Sequence, residues 1–454
     1  MNLALGKVVT MASSILGFDS LLGRLTSSIA TVTDGREPSN ATRYSLQDAV
    51  LGAFGAFFMQ SASFLEYQRH LQTCHGQDNA QSLFGLTSIP SVEQIRNILD
   101  LLPAQSLSGV FSSNYQHLED QGYLRGFEVL GKHLLVTLDG TEYYSSHQVR
   151  CPCCSIRRHR NGQVTYSHKA ILPVLVSPSQ SSVISLPPEF IHPQDGHDKQ
   201  DCEQAAAKRW IMAHRQMFAH RDVILLGDDL YSRLPMCETV LAQGMSFIFV
   251  CLPESHPVLY DWIEFNTAKG QVNTIEKTRT QRKEMVHYQY RYLTDVLLGG
   301  TPSDLVLNWC EVTVTRQRDG KRLYHNSWIT PLDLNTPQQV IAVVEAGRSR
   351  WKTENENHNV LKTKGYHLEH NFGHGQQHLA SFLLTLNLLA FLFHTILGYV
   401  DERYQRIRQI RGTRKGFFQD IVALTKYLWF ESWTALIEFM LDDTKPAGPI
   451  RNTS

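Results

Sequence analysis

Up to about residue 125, apolar residues recur at helical spacing, as in Leu46-Gln-Asp-Ala-Val-Leu-Gly-Ala-Phe-Gly-Ala-Phe-Phe-Met59. Ser91-Val-Glu-Gln-Ile-Arg-Asn-Ile-Leu99, preceded by Pro90, reads as a capped amphipathic helix, and Pro103 to Ser106 breaks the pattern. From 130 to 254 the texture changes to short apolar runs separated by helical stretches. Strands are predicted at Leu134–Leu138, Ala170–Val176, Ser182–Leu186, Val223–Leu226 and Ser246–Cys251. Helices are predicted from Cys202 to about Phe218 and over Leu234–Gln243. This succession predicts an α/β fold, a mixed sheet flanked by helices, with ligands gathered at the carboxyl ends of the strands.

Residues 255 to about 330 read as a β-rich insertion. Tyr288-Gln-Tyr-Arg-Tyr-Leu293 and Val312-Thr-Val-Thr-Arg316 alternate with period two, and Asp319-Gly320 is a hairpin signal. A long helix from about Pro337 to Lys364 follows, with Gly365 as its stop. The apolar run Leu379–Val400 is long enough to span a bilayer. Asn387 and His394 interrupt it and no second run exists, so it reads as a core helix with no membrane partner.

Composition refines this picture. The chain has 454 residues, 42% hydrophobic and 19% charged, enough to bury a core and unlike a disordered chain. Eight cysteines, five of them scattered singly, do not form a disulfide framework and suit a reducing cytoplasm. The start, Met1-Asn-Leu-Ala-Leu-Gly-Lys7, lacks the pattern of a secretory signal. Lys plus Arg and Asp plus Glu both number 43, so net charge gives no support to polyanion binding. Local runs do: Arg157-Arg158-His-Arg160, Lys277-Thr-Arg279-Thr-Gln-Arg-Lys283 with Tyr288, Tyr290 and Tyr292 behind it, and the arginines from 403 to 414 with Lys415. Basic residues interleaved with aromatics suit DNA phosphates and unstacked bases.

Three acids carry the candidate chemistry. Asp139 ends one apolar run and Asp228 another, while Glu354 lies in the helical stretch Arg350-Trp-Lys-Thr-Glu354-Asn-Glu356. A carboxylate at the tip of a buried strand is costly unless a cation or a hydrogen-bond donor is near. Asp229 competes with Asp228, and Glu142 is a supporting candidate only. Cys151-Pro-Cys153-Cys154 supplies half of a zinc site, with His168, His192, His197 and Cys202 as candidates for the missing pair. The His-rich stretch Gly365–His378 reads as a structural turn, with His370 or His374 near phosphate, and Trp351 as packing beneath its helix.

Taken in order, Leu138-Asp-Gly-Thr-Glu142, Gly227-Asp-Asp-Leu-Tyr231, and Arg350-Trp351 with Glu354 and Lys362 resemble the DDE transposases of bacterial insertion sequences, in the branch with a β-rich insertion before the catalytic Glu. The resemblance covers about 130 to 375. It implies an RNase H-like core: 129–254 as its first part, 255–330 as the insertion, and 331–400 as its second part with the catalytic and buried helices. Residues 1–128 would be a helical N-terminal region for DNA end binding, and 401–454 a basic C-terminal tail. It implies Asp139, Asp228 and Glu354 as ligands of two Mg2+, with Mn2+ able to substitute, and Arg350 and Lys362 as phosphate contacts. Arg157, Arg158, Lys277 and Arg279 are further candidate DNA contacts. The implied partners are element terminal inverted repeats and target DNA, bound by a homodimer in a synaptic complex at the nucleoid.

The chain departs from the family pattern in two places. Gly347 stands where the family has Tyr. Glu354 precedes Lys362 by eight residues and Glu356 by six, one either side of the family's usual spacing, so Glu356 stays open beside Glu354. A metal-dependent nuclease without strand transfer and an inactive DNA-binding relic are the alternatives.

Overall fold

The computed structural model describes residues 16–37, 42–71, 79–193, 202–281, 284–299 and 305–442. Met1–Lys7, His197 and Lys283, named above, lie outside the described residues, as does Cys74, one of the five scattered cysteines. The chain divides into two compact units, Met1–Ile98 with Ala390–Ser454, and Leu99–Leu389.

The second unit holds the candidate site. Its strands are β1 (Leu134–Thr137), β2 (Gly140–Ser146), β3 (Ser155–Arg158), β4 (Val164–Ile171), β5 (Val174–Val176), β6 (Ile184–Ser185), β7 (Glu189–Ile191), β8 (Val223–Gly227), β9 (Ser246–Val250), β10 (Asn273–Gln281), β11 (Glu284–Leu297), β12 (Val306–Arg316) and β13 (Arg322–Thr330). Nine form one mixed sheet in the order β10-β11-β12-β13-β9-β8-β1-β5-β6. β1 is antiparallel to β5 and parallel to β8, which is parallel to β9. Every residue of β1 and β8 is buried, which explains why both read as unbroken apolar runs.

The run predicted as one strand over Ala170–Val176 divides at Leu172-Pro173. Ala170 and Ile171 pair with β2 and β7 in a second sheet, whereas Val174–Val176 pair with β1. Proline has no amide to donate to a ladder, so the change of sheet falls there at little cost. The insertion opens with a helix, Pro257–Ala268, that the alternating pattern did not signal. Its four strands then continue the main sheet, because β13 pairs antiparallel with β9.

The single helix predicted from Pro337 to Lys364 is interrupted. Its first part, Pro337–Arg348, starts with a capping box between Thr336 and Gln339. A π-helical turn, Thr353–His358, precedes a last short helix, Asn359–Thr363. Gly365 ends it with a φ of +92°, the left-handed conformation expected of a helix stop.

Leu379–Val400 is the one described helix long and apolar enough to cross a membrane, and 94% of its apolar window is buried. Asn387, which interrupts the run, is itself buried and donates to the carbonyl of Tyr366 at 2.7 Å. Asp100 accepts the amides of Gln376, Gln377, His378 and Leu379 at the start of this helix. Burial alone would raise the Asp100 pKa, but these four bonds hold it below the usual carboxylate value.

In the first unit, N-terminal helices pack with the helices Glu402–Arg411, Arg414–Tyr427 and Trp433–Leu441. Phe18, Phe58, Phe84 and Trp433 form its aromatic centre, with ring centroids 4.7 Å apart for Phe18–Trp433 and 5.1 Å for Phe58–Trp433. The fully buried Asn79 donates to the carbonyls of Thr425 and Leu428 and accepts the amide of Phe430.

Candidate active site and metal centre

Asp139 and Asp228 follow neighbouring parallel strands. β1 and β8 pair from Leu134 with Val223 to Thr137 with Leu226, and the amide of Leu138 still donates to Leu226 at 3.0 Å. Carried on by two residues, this register sets Asp139 beside Asp228 at the carboxyl edge of the sheet, where open sheets gather their ligands.

The π-turn delivers the third acid. Two inward neighbours anchor it: Lys352 Nζ donates to the carbonyls of Ser177 (2.6 Å), Pro178 and Gln180, and the Thr353 hydroxyl donates to that of Thr137. Glu354, with its side chain 53% exposed, accepts from Arg350 Nη2 at 2.8 Å. Arg350 Nη1 lies 3.9 Å from Asp139 Oδ1, and His358 Nδ1 lies 3.4 Å from Asp139 Oδ2. Arg350, Glu354 and His358 therefore share the face turned to Asp139. Glu356 faces the charge of Lys352 instead.

A fourth carboxylate joins the cluster. Glu203 opens the helix Glu203–His214, and its Oε1 accepts the amide of Gly140 (3.1 Å) and the hydroxyl of Tyr231 (2.9 Å). Two glycines make room for it. A Cβ on Gly140 would fall on the Glu203 carboxylate, and one on Gly227 would lie 2.7 Å from Tyr231 Cγ. No local pattern marks Glu203, which stands far from both aspartates in sequence. Glu142, the supporting candidate, is exposed on β2.

Burial pushes the Asp139 pKa up to about 7, against the pull of Arg350 and with the negative charges of Glu203, Asp228 and Glu354 adding to the rise. Burial likewise raises Glu203. His358 is held neutral at physiological pH. Burial and then the charges of Lys362 and Arg350 press its pKa down to about 4, and its Nε2 is buried without a partner. Asp229 is otherwise engaged, accepting the amide of Leu252 at 2.8 Å and the hydroxyl of Ser255. Asp228 accepts only the local amide of Leu230 among its described bonds, which leaves it turned to the cluster.

The remaining predicted residues divide. Lys362 pairs with Glu369 at 2.8 Å. Arg157 and Arg158 on β3 and Lys277 on β10 are exposed, while Arg279 pairs with Glu345 and lies over the Tyr288 ring. Tyr288 and Tyr290 are buried, so neither can stack on a base. Trp351 is 47% exposed rather than packed beneath its helix, because Lys352 and Thr353 occupy the inward positions.

A second cluster could hold a metal ion. Cys151 Sγ, Cys154 Sγ, His168 Nε2 and His374 Nε2 lie within 4.8 Å of one another. His168 is thus one of the two missing ligands, and the other is His374, which the sequence reading placed in a structural turn or near phosphate. His192 stacks on Phe190 and Cys202 is exposed, and neither belongs to the cluster. No protein-family model matches the chain, and no curated protein matches it.

Proposed function

We propose that the chain is a DDE-type transposase, which cuts DNA at element ends and joins the freed 3′-hydroxyl to target DNA. The observation that carries the reading is the convergence of Asp139, Asp228 and Glu354 at the edge of two parallel strands. The order β6-β5-β1-β8-β9, with three antiparallel strands and then two parallel ones, suits an RNase H-like core.

The donor set fits a hard divalent cation. Burial, with the neighbouring carboxylates adding to it, raises the pKa of Asp139 to about 7, and a bound cation would offset that cost. Asp139, Asp228 and Glu354 would hold Mg2+ or Mn2+. When bound, such ions activate an oxygen nucleophile and stabilise charge on the phosphate. Arg350, paired with Glu354 and 3.9 Å from Asp139, is placed to turn its planar donors to a phosphate. Neutral His358, 3.4 Å from Asp139 Oδ2, leaves the charge of that carboxylate uncancelled.

The π-turn accounts for the off-register lysine. It closes one residue wider than an α-turn, so the extra residue between Glu354 and Lys362 is absorbed within Thr353–His358. Lys362 then lies one helical turn beyond His358, where its charge reaches that ring. Gly347 has a simpler reason. Its backbone approaches the sheet so closely that even a Cβ would lie 2.9 Å from Ile248 and Trp328, leaving no space for a family-type Tyr.

The reading is tested with supercoiled plasmid and an oligonucleotide carrying the candidate element end, labelled at the 5′ end of the strand whose 3′-hydroxyl is to be joined. With Mg2+, the protein is expected to nick and to join the label to plasmid, and DNA affinity is expected to fall steeply with added salt. Nicking with no joining would make it a nuclease. A flat salt response would remove the phosphate contacts at Arg157, Arg158 and Lys277.

A further inference from the structure

We propose that Cys151, Cys154, His168 and His374 form a closed structural zinc site, which fastens the segment after the Glu354 helix to the second sheet. The inference does not depend on the carboxylate cluster and stands whether or not that cluster cuts DNA.

Four of the six separations between ligand atoms are those of a tetrahedral centre, and all six lie within 4.8 Å. Zinc bound to thiolate at about 2.3 Å and to imidazole at about 2.0–2.1 Å sets its ligand atoms roughly 3.3–3.8 Å apart. The two sulfurs are 3.8 Å apart, Cys151 Sγ is 3.4 Å from His168 Nε2, and Cys154 Sγ is 3.5 Å from His168 Nε2 and 3.6 Å from His374 Nε2. A disulfide would need about 2.05 Å between the sulfurs. It would also leave two imidazole nitrogens aimed at the same point with no role. Thiol–imidazole hydrogen bonding alone gives no reason for four soft or borderline donors to meet, three of them buried. Two sulfurs and two nitrogens select zinc over the hard cations expected at the carboxylates.

The site is complete without solvent. Four protein ligands leave no open position, which is the mark of a structural centre. Cys153, the third cysteine of the cluster, faces the carbonyl of Gln377 and is not a ligand.

Its placement has a consequence. Cys151 and Cys154 form the turn before β3, and His168 lies on β4, which pairs with the strand that begins one residue after Asp139. His374 follows the helix that carries Glu354 and Lys362. One ion therefore joins the segments downstream of two of the three candidate catalytic acids. Closing a connection of more than 200 residues by a metal clip is where such a constraint counts most.

The test uses the full-length chain, purified in reducing buffer, exposed to Zn2+ and then desalted. About one zinc per chain is expected in the wild type and in Asp139→Asn. In the Cys154→Ser, His374→Ala double variant, less than about 0.2 is expected. Should that variant fail to fold, the wild type decides. Co2+ in place of zinc should give the visible absorption of a tetrahedral site with a thiolate charge-transfer band, and two thiols should become reactive on chelation. Wild-type protein with less than about 0.2 zinc after loading, a Co2+ spectrum without thiolate bands, or full zinc retention by the double variant overturns the proposal. A Cys151–Cys154 disulfide without zinc would replace it with a redox pair.

Discussion

Asp139→Asn is expected to lose metal-dependent DNA cleavage almost entirely and, in metal-free buffer at pH 8, to be more stable than the wild type. The two effects have one cause. Asp139 sits among Asp228, Glu203 and Glu354 with its own side chain only 17% exposed. Its folded pKa of about 7 lies above the ordinary value of 3.8. Between those values the folded state binds more protons than the unfolded state, so the Asp139 contribution is fully present below pH 4 and is lost as pH rises through 7. Three pKa units correspond to about 4 kcal/mol as an upper bound. Asparagine has no such loss. Thermal melts at pH 5 and pH 8 should show a wild-type decline that is much smaller in the variant. Cleavage should fall by about three orders of magnitude, the size expected when a principal electrostatic group of the transition state is lost. Equal pH slopes in the two proteins would mean that Asp139 is an ordinary surface carboxylate.

Glu354→Gln is expected to lower DNA cleavage by about a thousandfold, whereas Glu356→Gln should leave it within about threefold. Glu354 is bonded to Arg350 and adds its charge to Asp139. Glu356 instead faces Lys352, whose ammonium is committed to the carbonyls of Ser177, Pro178 and Gln180. Its loss should therefore register as a stability change of about 1 kcal/mol or less, in keeping with a partly exposed charge near that ammonium. Single-turnover cleavage assays on both variants, each with a melting curve, separate the two. Loss of cleavage in Glu356→Gln alone would transfer the role to that residue.

The parts of this site that were legible in the sequence are those set by local pattern. β1 and β8 are buried on both faces, so their apolar runs were plain, and the charged residue that ends each run stood out against them. Two parallel strands in equal register then bring Asp139 and Asp228 together. What sequence could not show depends on chain segments meeting in space. Glu203 has nothing in its own helix to mark it, and its place is set by Gly140 and Tyr231. His374 lies 220 residues beyond Cys154, in a stretch whose many histidines hid the one that matters. Helical periodicity assumed an unbroken α-helix from Pro337, and the π-turn that widens it carries no sequence signature of its own. Alternation marked β10 to β13 as strands, but their continuation of the main sheet rests on the pairing of β13 with β9.

The most direct test of the carboxylate cluster as a site that cuts element ends is to map cutting on duplexes that carry the DNA flanking this chain's own gene. With Mg2+, wild-type protein should expose a 3′-hydroxyl at one fixed position at the end of an inverted repeat, and Asp139→Asn should leave the duplex intact. Cutting scattered along the duplex, or the same fixed cut by Asp139→Asn, would contradict the account.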